Sequence, residues 1–166
     1  MAPDLSLGAL AFVELNRPPL GLLAPTLLLA VEVERSPTSH TYVPAFQASG
    51  AATFTRILGR VQGCPLRFAS RKPAFGLLPC LLFEGGLLTG AGSNIPASTS
   101  QRDWWLAPGA ALRIEWKSSS RTFLALDGFV TVPLVRDHFY FSPGTTIYSV
   151  PVVALGSTMS AALTLP

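Results

Sequence analysis

Chemistry in this chain would have to come from two histidines, two cysteines and nine acidic side chains. His40 sits in the turn-like stretch Ser36-Pro37-Thr38-Ser39-His40-Thr41, and His138 stands between Asp137 and Phe139-Tyr140-Phe141. Neighbouring strand residues point to opposite faces, so Asp137 and His138 do not make the base and orienting acid of a triad. There is no G-x-S-x-G elbow and no His-x-His of the kind a metal-dependent cupin needs. The stretch Gly85 to Gly92 is Gly-rich but lacks the Gly-Lys-Ser/Thr ending of a phosphate loop, and reads as a flexible loop. Glu32, Glu34 and Glu115 fall at alternating strand positions, where solvent-facing charge is the ordinary reading rather than the paired carboxylates of glycoside hydrolysis. The residues therefore predict no catalytic group, no cofactor and no metal: a protein that is not an enzyme.

Two other residue sets could form a site. Cys64 and Cys80 flank a hairpin-sized stretch and could pair, but Leu78, Leu81 and Leu82 around Cys80 favour buried free thiols. The aromatics Trp104, Trp105, Trp116, Phe139 and Tyr140 are candidates for a subunit interface or for stacking on sugars. Core packing competes with both uses. Alternation buries one of Trp104 and Trp105, and it groups Trp116 with Leu112 and Ile114. Arg67, Arg71 and Lys72 are the only basic cluster; with no interleaved aromatics they read as a solvated loop, and no specific nucleic acid is expected.

The elements that must position these residues are strands. Glycine and proline supply 14 and 15 of the 166 residues, at intervals too short for long helices. The segments between them are short, β-branched, aromatic or leucine-rich, and many alternate. Thr53 to Val61 puts Arg56 and Arg60 on one face with Phe54 and Leu58. Ala111 to Lys117 places Leu112, Ile114 and Trp116 on a core face and Arg113, Glu115 and Lys117 towards solvent. Strands are predicted near 9–15, 27–34, 53–61, 65–70, 78–84, 103–107, 111–117, 121–133 and 145–154. The short runs 137–142 and 158–165 would pair at an edge, and Gly85 to Arg102 would be a long loop. Asp127-Gly128 reads as a bulge or bend inside a continuing strand. Short strands at about ten-residue spacing predict one all-β domain over residues 1–166, a jelly roll or β-sandwich of about eight to ten antiparallel strands.

Composition narrows the partners. Charged residues make up 13% of the chain, against roughly 25% in soluble domains, and hydrophobic residues 49%. The apolar run from Leu20 to Val31 is interrupted by Pro25 and followed by Glu32, Glu34 and Arg35, too short for a spanning helix of about 20 residues. A surface covered by other subunits is the expected reason for the thin charged coat, with peripheral membrane contact through Leu20 to Leu29 as an addition.

The stretch Arg102 to Trp116, followed by Phe123 to Leu134 with its Gly-Phe-Val-Thr-Val-Pro-Leu ending, combines a strand, a Pro-Gly turn, an alternating strand, a polar hairpin and a further strand. In this it resembles the single jelly-roll capsid proteins of viruses, most of all the small major capsid proteins of tailless, internal-membrane bacteriophages. The resemblance implies a structural virion protein that self-assembles into homo-oligomers and contacts a second capsid protein or a membrane; it carries over no site residues. A carbohydrate-binding or receptor-binding β-sandwich is the alternative expectation.

Overall fold

The computed structural model describes residues 6–16, 23–36, 39–43, 48–70, 75–93, 100–117, 122–135, 138–141 and 145–163. They form eleven strands and no helix: β1 (Leu7–Asn16), β2 (Leu23–Arg35), β3 (Ser39–Val43), β4 (Ala48–Leu66), β5 (Phe68–Ser70), β6 (Phe75–Ser93), β7 (Ser100–Lys117), β8 (Thr122–Thr131), β9 (His138–Phe141), β10 (Thr145–Ser149) and β11 (Ala154–Leu163). The all-β class is as the alternation predicts.

Seven strands make one antiparallel path, β1-β2-β4-β6-β7-β8-β11, with β3 and β5 added on β4 and β6; β9 and β10 pair only with each other. Each strand of the path lies beside its neighbour in chain order, which is a meander. The crossings between two sheets that define a jelly roll are not among the described pairings. The described part of run 158–165 does pair at an edge, as β11 on β8, whereas that of 137–142 is β9, which turns back on β10.

The strands are longer than the sequence suggests. Pro108-Gly109 does not end β7, because β6 continues opposite both residues in unbroken register. Gly85 to Ser93 is not loop but the second half of β6, paired with β4 and β7; residues 94–99 lie outside the described set, as do Arg71 and Lys72. Asp127-Gly128 lies within β8 with no register shift against β7 or β11, so neither bulge nor hairpin forms there. At Gly86 a Cβ would stand 2.0 Å from the Ile57 carbonyl oxygen. Glycine there lets the adjacent backbones close up.

The sheet curls until its concave face meets itself. Arg113 on β7 reaches Glu14 on β1, four strands away along the path, and Gln62 on β4 reaches Asp127 on β8, three away. Two apolar clusters sit inside: Phe54, Leu58, Leu88, Trp105 and Ala107 in one, and Cys64, Leu78, Cys80, Leu82 and Ala111 in the other. Cys64 and Cys80 face each other across β4 and β6 and are joined as a disulfide, correcting the expectation of free thiols. Their apolar surroundings are real; what the sequence lacks is the register that opposes them.

Candidate functional site

The feature that sets this protein apart is the distribution of its side chains between the two faces of the sheet. Along β7, Asp103, Trp105, Ala107, Ala111, Arg113 and Glu115 point inward, while Trp104, Leu106, Pro108, Ala110, Leu112, Ile114 and Trp116 point outward. Arg113 is 1% exposed and its neighbour Leu112 is 47% exposed. The alternation read from the sequence is present, but its facing is reversed: the charged set is enclosed, and the leucine and tryptophan set is outside.

The other strands agree. On β2, Glu32 and Glu34 are enclosed while Leu27, Leu29, Val31 and Val33 are exposed; on β4, Arg60 and Gln62 are enclosed while Ile57 and Val61 are exposed. Among the described residues, twenty-eight large apolar side chains are exposed. Scattered exposed leucines need no explanation. A set this large, on the outer face of all seven strands, is the kind of apolar surface that marks contact with protein neighbours or a membrane. Among the described residues, outward charge is confined to strand ends. Arg35 and Arg102 stand in one row of the register, linked through Thr55 and Thr89; Lys117, on the parity of Arg113 and Glu115, is exposed where β7 ends.

Inside, the charges satisfy one another. Arg113 donates to Glu115 at 3.1 Å, to Asp127 at 2.8 Å and to Glu14 at 2.8 Å. Glu115 also pairs with Arg67 at 2.9 Å, and Gln62 donates to the second oxygen of Asp127 at 3.0 Å. A second group centres on Arg60, which donates to Glu84 at 2.8 Å and lies 2.9 Å from Glu32. That oxygen of Glu32 is within ion-pair distance but lacks hydrogen-bond geometry to Arg60. Arg56 pairs with Glu34 and stacks over Trp105 at 4.5 Å. Buried charges persist only when paired and hydrogen-bonded, so this network is the condition for an interior built of arginine and glutamate. No group of three or more His, Cys, Asp or Glu among the described residues is arranged to hold a metal ion.

The aromatic candidates separate. Trp104 is 67% exposed and Trp116 61% exposed, both outward; Trp116 is not the core residue that its grouping with Leu112 and Ile114 predicts, because that whole face is the outer one. Trp105 is buried and donates its indole N–H to Glu84 at 3.1 Å, so alternation does bury one of the adjacent pair. Phe139 and Tyr140 lie on β9, opposite Tyr148 and Thr146 of β10; their side chains are outside the described set. His40 is on β3 opposite Ala51, and His138 on β9 opposite Ser149.

Arg56, Arg60, Gln62, Glu84, Arg113 and Asp127 are residues that sequence reasoning does not bring together; of these it places only Arg113, with Glu115, towards solvent. Their signal is opposite charges at the same strand parity on several strands, facing runs of leucine and valine at the other parity. No family model, curated protein or solved structure matches this chain.

Proposed function

We propose that this protein is a membrane-embedded β-structure of the outer-membrane type, its outward face against lipid chains and its interior packed around ion pairs. The observation that carries the reading is the outward run on β7 from Trp104 to Trp116, with Arg113 enclosed behind it. Twelve residues at about 3.3 Å each make roughly 40 Å of strand. At a tilt of about 45° the two tryptophans stand roughly 28 Å apart along the membrane normal, close to the thickness of a hydrocarbon core flanked by its two aromatic girdles. In this reading the strands supply the span and no long apolar helix is needed; among the described residues there is no helix long and apolar enough to cross a membrane.

Magnitude favours lipid over protein neighbours as the cover. A standard interface hides about 800 Å² per partner on one patch, whereas exposed apolar side chains here ring every strand of the path. A virion subunit, as the capsid resemblance implies, would need many neighbours to cover that face, and it gives no reason for enclosing the charges. The disulfide suits a compartment that is oxidising.

The test is tryptophan quenching in vesicles carrying phospholipids brominated at different chain depths. Strong quenching by shallow bromines, with weaker quenching at the bilayer centre, is the expected result. Emission insensitive to brominated lipid, together with discrete multimers by light scattering, would transfer the apolar face to protein neighbours and favour the virion reading.

A further inference from the structure

A cavity of about 720 Å³ opens where the two ends of the path approach each other. Its wall is unusual in using both faces of the edge strands. Glu34, Phe54, Arg56, Trp105 and Phe129 reach it from the interior, whereas Leu7 on β1 and Leu155 on β11 are outward residues that also line it. The cavity therefore passes through the wall, connecting the polar interior with the face that lipid would cover.

Its chemistry is graded. At the inner end the guanidinium of Arg56 and the carboxylate of Glu34 are paired, so their formal charges cancel; Ser6 and Ser36 add hydroxyls. Thr131 lines the cavity, is 1% exposed, and its hydroxyl has no hydrogen-bond partner. A buried hydroxyl without a partner costs on the order of 1–3 kcal/mol, which a bound polar group would remove. At the outer end the wall is Leu7, Val153 and Leu155, while Ala154 packs against the inner apolar cluster beside Trp105. The volume falls in the range of small-molecule pockets.

We infer that this cavity holds a single-chain lipid with a net-neutral, hydrogen-bonding head: the head against Arg56, Glu34 and Thr131, and the chain leaving between Leu7 and Leu155 into the bilayer. A fatty acid would bring a second negative charge beside Glu34, and a two-chain lipid would need an exit wider than one gap between edge strands. The inference rests on the membrane reading, since the chain must leave into hydrocarbon.

Trp105 lines the cavity and reports on it. In the double variant Trp104→Phe/Trp116→Phe it is the sole tryptophan. Brominated-chain lysophosphatidylcholine, added to vesicles holding this variant, is expected to quench it saturably, while diacyl phosphatidylcholine of equal bromine content does not. Narrowing the cavity from its inner wall with Ala154→Phe should move the midpoint severalfold to higher lysolipid. Equal response to the two lipids, or no effect of Ala154→Phe, overturns the cavity assignment. Wild-type protein, whose Trp104 and Trp116 face outward, is the control. Quenching of wild type by the diacyl lipid with an unresponsive Trp105 removes the cavity assignment alone; no quenching of wild type removes the membrane reading and this inference with it.

Discussion

Arg113 on β7 donates to Glu14 on β1 at 2.8 Å, across 99 residues of sequence. The contact crosses the interior between strands four apart along the path and ties the first strand to the middle of the sheet. Replacing Arg113 with methionine leaves Glu14, Glu115 and Asp127 without their shared cation. The expected loss of stability is about 3–5 kcal/mol, read as a lower urea midpoint for unfolding from lipid vesicles. Glu14→Gln should cost less, about 1–3 kcal/mol, because Arg113 keeps its other two carboxylates.

Position along β7 should set the penalty for an outward charge. Ala110 lies midway between Trp104 and Trp116 on the outer face. Ala110→Arg is expected to destabilise by about 2–4 kcal/mol, and Trp116→Arg by about 0–1 kcal/mol from charge alone. Equilibrium unfolding in vesicles measures both. Equal penalties at the two positions would mean that the outer face meets no depth-graded medium.

Removing the disulfide tests the register of β4 and β6. Cys64 and Cys80 close a loop of 16 residues, and the paired variant Cys64→Ala/Cys80→Ala should lose about 3 kcal/mol. Reductant should lower the unfolding midpoint of the wild type and leave that of the variant unchanged.

The interior predicts electrical silence. Small barrels are just wide enough for their side chains to fill, and inside this curled sheet Arg60, Glu84, Arg113 and Leu78 are likewise almost completely enclosed. Reconstituted into a planar bilayer in molar salt, the protein is expected to show no steady open-channel current. A stable conductance of porin size would contradict the packing of these residues.

Much of the fold can be read from the sequence, but the identity of its two faces cannot. The two-residue period of Ala111 to Lys117 is clear, and it sorts Leu112, Ile114 and Trp116 from Arg113 and Glu115 correctly. Period two says that the faces differ; it does not say which solvent each one meets. Taking the charged face as the wet one reverses Trp116 and Arg113 together. A search for twenty consecutive apolar residues misses the outer surface for the same reason, since an apolar residue at every second position never makes such a run. Pro108 and Gly109 read as a turn because their local preference is strong, yet pairing on both sides of β7 overrides it. The Cys64–Cys80 bond and the partnership of Gln62 with Asp127 depend on register and curl, which no short stretch of sequence encodes.

The path has seven strands, and each runs opposite to the next. β1 and β11 are therefore parallel, so Leu7 opens the first at one rim and Leu163 closes the last at the other. Bacterial barrels with an even number of strands return the chain to the side from which it entered. This path does not. Set across a bilayer, it would put Leu7 and Leu163 on opposite sides, so that a label confined to one compartment would reach only one of the two.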